Sequence, residues 1–323
     1  MSLFILLVFS AILFSLELVY FKIARKYKII DCPNHRSSHN EVTIRGGGII
    51  FPIALLFCAF YWGFEYVYFL LGLLLISLIS FLDDLHTIGS KLRFTFQVLA
   101  VALLFYQTGL YYLPFYWIII ALIFATGTIN AINFMDGING ITGGYGLVTL
   151  ITMYYINKYI VAYTDENNLA ISIISVLIFN FFNFRVKAKC FAGDVGSISL
   201  AFIILFFLLQ LIIKTNNLNF LSLLLIYGLD TVTTILFRII RKENIVEAHR
   251  SHFYQFLVNE RNMPHLLVAG LYMLVQVIIN IILIKYFIAS EYNLIFVMMF
   301  PIVIFVLIRI LMEGPRKLFV LNK

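Results

Sequence analysis

Residues 130–144 read NAINFMDGINGITGG. A single charged side chain, Asp136, stands there among glycines, asparagines and apolar residues, directly after the apolar stretch 114–130. Only 12% of the 323 residues are charged. A lone carboxylate closing a greasy segment must face something polar, and what it faces depends on which side of a membrane the stretch occupies.

The whole chain is 62% hydrophobic with a mean hydropathy of +0.99, where a soluble domain is roughly half apolar. The composition therefore describes an all-α, polytopic integral membrane protein. Eleven apolar stretches are long enough for helical spans: 2–21, 47–64, 66–82, 94–109, 114–130, 141–157, 168–184, 196–213, 218–238, 265–288 and 293–312. Several are rich in Ile, Val and Phe, but they are too long and too uniformly apolar for barrel strands, which alternate. No small-residue cleavage site follows the first stretch, so it reads as a retained helix rather than a signal peptide. Cys32, Cys58 and Cys190 have neither metal-ligand spacing nor a disulfide framework and read as small fillers. No repeat or soluble insertion is visible, so residues 1–323 read as one membrane-embedded domain.

The net charge of +7 does not form a patch suited to nucleic acid. Counted over alternate loops, 20 of the 23 Lys and Arg residues fall in one set; Lys158, Lys214 and Lys285 make up the other. Basic loops stay in the cytoplasm, which puts the N-terminus outside and the C-terminus inside. All six histidines and Asp83, Asp84, Asp136 and Asp194 lie in the basic set, so a reacting site belongs at the cytoplasmic face.

Five clusters share that face. In DCPNHRSSHNEVTIRGGG (31–48), Arg45 precedes three glycines, either an anion nest or a plain turn before a span. In FLDDLHTIGSKLRF (81–94), Asp83 and Asp84 are adjacent carboxylates suited to a cation, or simple boundary markers. Asn130, Asn133 and Asp136 recur every three residues, which predicts one polar helical face. In KCFAGDVGSISLAF (189–202), Asp194 reads as an N-cap or as a carboxylate ligand for Mg²⁺. In EAHRSHFYQFL (247–257), His249, Arg250 and His252 offer donors for phosphate or sugar; zinc is the weaker reading there, with no cysteine nearby. Together, and without a Walker or Rossmann glycine pattern, they suggest Mg²⁺-dependent chemistry on a phosphorylated substrate.

DCPNHRSSH, RGGG, FLDD, NAINFMDGINGI, FAGDVGS and HRSHFYQ, in this order, resemble the polyprenyl-phosphate N-acetylhexosamine-1-phosphate transferases, a family that includes the undecaprenyl-phosphate GlcNAc-1-phosphate transferase and the phospho-MurNAc-pentapeptide translocase. HRSHFYQ looks most like the branch that starts O-antigen or capsule glycans. The resemblance implies transfer of a sugar 1-phosphate from a UDP-sugar to undecaprenyl phosphate, with release of UMP, in the bacterial inner membrane. It implies Mg²⁺, with Mn²⁺ as a substitute, held by Asp194. Asp83 and Asp84 would work near the lipid phosphate, as base or metal ligands, and Asp136 beside the diphosphate or nucleotide. Phe191 would stack on uracil, Asn133 would bond the nucleotide, and Arg45, His249, Arg250 and His252 would bind diphosphate and sugar. A homodimer is compatible with the resemblance.

Three positions depart from the family pattern: Asn139 replaces a second aspartate, Thr87 replaces a lysine, and NFRVKAK lacks a proline, which leaves Asn183 without a transferable role. The competing class is a transporter or lipid flippase, for which the buried acids Glu17 and Asp230 would be functional suspects. A CDP-alcohol phosphotransferase lacks its clustered aspartate motif here.

Overall fold

The computed structural model describes residues 2–32, 41–244, 250–287 and 294–320. His35, His39 and His249 lie outside them, as do the side chains of 287 and 294–298. Each of the eleven apolar stretches is mostly helical over its described residues. The long helices are α1 (Leu3–Tyr27), α2 (Ile50–Trp62), α3 (Val67–Leu85), α4 (Ser90–Thr108), α5 (Phe115–Met135), α6 (Ile141–Tyr159), α7 (Glu166–Asn183), α8 (Gly193–Thr215) and α9 (Leu225–Ile240). A short α10 (Phe253–Asn259) precedes α11 (His265–Ile282), α12 (Leu294–Glu313) and the terminal α13 (Pro315–Phe319). Among the described residues, six helical stretches are long and apolar enough to cross a membrane: those at 3–27, 67–85, 115–135, 193–215, 218–240 and 265–286. Helix α2, even with its leading 3₁₀ turn, begins only at Gly47 and ends at Trp62, short of the roughly 20 residues of a straight crossing.

Helix α8 is the axis of the bundle. From Val195 to Leu211 nearly every side chain is buried, as expected of a helix that is apolar all round. Phe69 stacks on Phe206 with ring centroids 3.8 Å apart, locking α3 to it, and Gly72 lets the Phe202 ring come close. Helices on the rim do the reverse. Leu71, Leu78, Ile120, Ile123, Leu274, Ile278 and Leu311 are exposed, an outward apolar band that water would not tolerate and lipid would.

One feature departs from an all-helical expectation. A two-residue antiparallel pairing joins β1 (Ile30–Asp31) to β2 (Thr43–Ile44), with Ile30 opposite Ile44. It folds the loop after α1 back on itself and delivers Arg45 to the end of the bundle. The glycines that follow admit an anion nest or a plain turn before a span, and their hydrogen bonds favour the turn. Gly47 N–H donates to Phe191 O at 2.8 Å and Gly48 N–H to Ala192 O at 3.1 Å. The backbone donors are already satisfied by the FAGD segment. The glycines serve close approach instead: a Cβ on Gly48 would collide with Gly196 Cα, and one on Gly47 with the Cys190 sulfur.

Asp230, a buried acid without a role in the sequence reading, organises the late loop. Its fully buried carboxylate accepts from Phe253 N–H at 2.8 Å, Tyr254 N–H at 3.1 Å and the Tyr272 hydroxyl at 2.6 Å. Arg309 of α12 reaches the same knot, donating to Thr233 and Thr234 on α9 and to Ser251 O. Asp230 thus caps α10 from α9, supplying a negative charge at a helix N-terminus.

Two substitutions test these joints. Gly48→Ala forces the loop and α8 apart and should cost about 1–3 kcal/mol, read as a lowered Tm in detergent. Asp230→Ala leaves two buried N–H groups and a hydroxyl without their acceptor, removes the charge that Arg309 faces at 4.0 Å, and should cost about 3–5 kcal/mol, with protease cleavage appearing at residues 250–254. Unchanged unfolding in either variant would show that the contact does not hold the fold.

Candidate functional site

The expected residues meet at one end of the bundle. Asp83 and Asp84 close α3, and α8 begins opposite them. Asp84 is fully buried, with Oδ1 accepting Asp194 N–H and Oδ2 accepting Val195 N–H, both at 3.0 Å. Arg45 Nε pairs with Asp84 Oδ1 at 2.6 Å. Both Asp84 oxygens are therefore engaged by the first turn of α8 and by a guanidinium. Its carboxylate caps and places the helix that carries Asp194.

Asp83 turns the other way. Its Oδ1 accepts Ile88 N–H at 2.7 Å and its Oδ2 meets Arg93 Nη1 at 2.7 Å. The same Arg93 nitrogen lies 3.1 Å from Asp194 Oδ2. Two carboxylate oxygens from different helices thus converge on one point, which a protein cation occupies. Arg45 Nη2 stands 3.7 Å from the other Asp194 oxygen. Asp194 retains 18% side-chain exposure, against none for Asp84, so it is the carboxylate a ligand reaches.

The donor set suits Mg²⁺, which binds through one or two carboxylates and completes its shell with water and substrate phosphate. Among the described residues no group of three or more His, Cys, Asp and Glu side chains is arranged to hold a metal unaided. Asp83 and Asp194 are the pair that fits, with the remaining positions left to substrate oxygens.

The NAINFMDGING segment borders this pair. Helix α5 stops at Met135, and Asp136 follows it with φ −80° and ψ 71°. Asp136 therefore does not share a helical face with Asn130 and Asn133, as the three-residue spacing predicted; the chain has left the helix one residue earlier. Asn133 accepts from the Ser197 hydroxyl at 2.6 Å, tying α5 to α8. Asn130 donates to Gln97 on α4 at 3.2 Å. Burial pushes the Asp136 carboxyl up to about 6; neighbouring Thr142 opposes the shift and the Asp84 charge adds to it.

Asn139, the departure from the family's second aspartate, is buried and donates from its amide nitrogen to Arg185 O at 2.9 Å and Val186 O at 3.1 Å. A carboxylate cannot donate, so the amide matches its surroundings. Asn183 now has a role: its oxygen accepts Gly140 N–H at 2.8 Å and its amide nitrogen donates to Cys190 O at 2.8 Å. It clamps the DGING turn to the CFAGD segment. Gly140 takes φ 82°, open to glycine and strained for other residues.

The described part of the HRSHFYQ loop folds around Asp230. His252 is buried, and its Nδ1 faces Asp230 Oδ1 at 3.3 Å while its backbone N–H donates to Gln255. Its imidazole belongs to the knot that shapes the loop. Tyr254 reaches across to the opening motif, donating to Phe134 O at 3.1 Å, and its ring edge fills the space where Gly137 lacks a Cβ. Arg250 is half-buried beside this knot. Phe191 lines an open cleft of about 380 Å³ with Thr43, Asn139, Lys187, His265, Pro264 and Leu266, an aromatic wall among mixed polar and apolar side chains. Cys190 behind it is a packing residue, its thiol pushed well up by burial and then by Glu17.

Sequence reasoning missed Arg93, Asn183 and Tyr254 as parts of this end. Arg93 carried a signal, a basic side chain ten residues past Asp83 at a helix start, but only the α3–α4 hairpin turns it toward Asp83 and Asp194.

The family described as glycosyl transferase family 4 matches residues 66–212, the stretch that contains the aspartate pair, the DGING turn and FAGDVGS. A probable undecaprenyl-phosphate N-acetylglucosaminyl 1-phosphate transferase of Bacillus subtilis (strain 168) is 28% identical over 263 residues, covering 73% of this chain and 72% of that protein. Phospho-N-acetylmuramoyl-pentapeptide-transferases of Petrotoga mobilis and Streptococcus pneumoniae serotype 19F are each 29% identical, over 192 and 197 residues. Those matches cover 50% and 53% of this chain, which spans 59% of the length of each of the two relatives. The motif set and these matches together support the superfamily of polyprenyl-phosphate sugar-1-phosphate transferases for this chain.

Proposed function

We propose that this chain transfers an N-acetylated hexosamine 1-phosphate from a UDP-sugar to undecaprenyl phosphate, releasing UMP and starting a lipid-linked cell-surface glycan. The observation that carries the reading is the convergence of Asp83 and Asp194 on one cation position, held by Arg93 with Arg45 beside it, at one end of an apolar bundle. That end meets a soluble anionic donor and a lipid whose phosphate lies at the membrane boundary. The asymmetry of Lys and Arg supports eleven crossings with this end at the cytoplasmic face of the inner membrane. An apolar furrow between α5 and α9, about 370 Å³ and lined by Phe124, Ala131, Leu225, Val232 and Leu236, suits a prenyl chain.

In this reading Asp194, with Asp83, would hold Mg²⁺, which would supply charge neutralisation for the transferring diphosphate. Asp83 stands where the acceptor phosphate approaches, and Asp84 acts through α8 as a positioning residue. Phe191 stacks on the uracil, Asn133 and Asp136 lie along the nucleotide, and Arg45 and Arg250 bind phosphate oxygens. One phosphoanhydride replaces another, so direct attack by the acceptor phosphate needs positioning and charge neutralisation rather than ATP. HRSHFYQ favours the O-antigen or capsule branch. Asp230, one of the two buried acids behind the transporter reading, is committed to shaping the 250–254 loop.

The direct test is transfer from a panel of labelled UDP-sugars to undecaprenyl phosphate by purified protein, with Mg²⁺ and with EDTA. The expected result is a lipid-linked product with UMP release that EDTA abolishes, and a loss of at least about a hundredfold in Asp194→Asn. No product with any sugar from folded protein, together with no binding of labelled UMP, would overturn the reading.

A second expectation concerns pH. Because folding raises the Asp136 carboxyl to about 6, its proton stabilises the folded state below the ordinary carboxylate range, and that contribution fades as pH rises through 6. The charged acceptor is present only above that value. The kcat/KM for the donor should fall on acidification through about pH 6, and Asp136→Asn should be slow without that limb. A wild-type rate that stays level down to pH 5 would remove Asp136 from the reacting set.

A further inference from the structure

We propose that Arg93 is a resident cation. Its guanidinium occupies the position between Asp83 and Asp194 while no divalent ion is bound, and turns outward to the donor phosphates when one arrives. The inference rests on the proposed function for the identity of the incoming ion and donor. Its basis is a single atom: Arg93 Nη1 lies 2.7 Å from Asp83 Oδ2 and 3.1 Å from Asp194 Oδ2. That is the point on which the carboxylate pair fitted to a metal converges. A divalent ion and a guanidinium nitrogen cannot share it, by size or by charge.

Two further observations indicate that Arg93 is only lodged there. Its Nε is buried without a hydrogen-bond partner, so the guanidinium satisfies only part of its bonding capacity in this place. Its side chain is 37% exposed, leaving room to swing outward without unpacking α4. The helix adds a push of the same sign, because Arg93 sits near the N-terminus of α4, beside Lys91 and with no acid in the first turn, where the helix dipole disfavours cations.

Arg45 differs. It is tied to the buried Asp84 at 2.6 Å and stands 3.7 Å from Asp194, so it stays as a fixed charge while Arg93 exchanges. In the resting state Arg93 keeps Asp83 and Asp194 from repelling each other. In the loaded state the ion takes over that task, and the freed guanidinium adds a fork of donors to phosphate oxygens. Ion and donor then assist one another: the ion releases the arginine that the donor uses.

The test is Mn²⁺ binding to the purified full chain, followed by electron paramagnetic resonance without nucleotide, in wild type, Asp194→Asn, Arg93→Gln and Arg93→Lys. Wild type should bind Mn²⁺ and Asp194→Asn should lose it. Arg93→Gln should bind Mn²⁺ about fivefold more tightly than wild type, since a half-exposed ion pair no longer competes. Arg93→Lys, which keeps the charge, should stay near wild type. With Mn²⁺ present, Arg93→Gln should bind UDP more weakly than wild type. Unchanged or weaker Mn²⁺ binding in Arg93→Gln, or equal tightening in Arg93→Lys, would overturn the proposal while leaving the metal site standing. No Mn²⁺ binding by folded wild type would overturn the metal reading and this proposal with it.

Discussion

The carboxylate of Asp84 at the start of α8 is the contact on which the rest of this end depends. A buried acid accepts two backbone N–H groups from the first turn of the most buried helix, and Arg45 completes its shell. Desolvating a carboxylate this fully is tolerable only when every lone pair is used. The helix dipole and the guanidinium supply what water would have supplied. The result fixes the axis of α8 against the end of α3 and, through Arg45, against the strand pairing after α1. Asp194 inherits its position from this joint, and Asp83 is left facing the other way, toward α4.

Around that joint the glycines and amides act as spacers and clamps. Gly47 and Gly48 let two backbone segments approach within hydrogen-bonding distance, where any side chain would hold them apart. Asn183 bonds the DGING turn on one side and Cys190 O on the other. Tyr254 extends from the late loop to Phe134 O and closes over Gly137. Segments separated by more than a hundred residues thus form one rigid rim. A site that positions two anionic substrates needs this, because phosphoryl transfer is governed by alignment and neutralised charge.

The apolar remainder has a simpler task. Outward-facing Leu, Ile and Phe side chains meet lipid, and the inward ones interdigitate, with Phe69 and Phe206 stacked at the centre. No hydrophobic force separates inside from outside in such a solvent, so packing and buried polar joints decide which helix lies beside which. Asp230 with Tyr272, and Gln276 with Ser222 and Asn280, are joints of this kind.

Much of this was legible in the amino-acid sequence. Unbroken apolar runs determine helices because a chain in lipid must satisfy its own backbone, and the Lys and Arg asymmetry groups the polar clusters at one end. The motif order is enough to indicate the family and to bring Asp83, Asp194, Asp136 and Arg45 forward as candidates. What each of them does was decided only by the tertiary structure. Asp83 and Asp84 are neighbours in sequence and alike in chemistry, yet successive helical positions point about 100° apart. One therefore caps α8 while the other faces Arg93. Spacing likewise placed Asp136 on a helix that ends one residue before it, and nothing in the sequence paired the His252 ring with Asp230. Sequence specifies which groups are available. Their partners are set by which helix ends the packing brings together, through contacts between residues far apart in the chain.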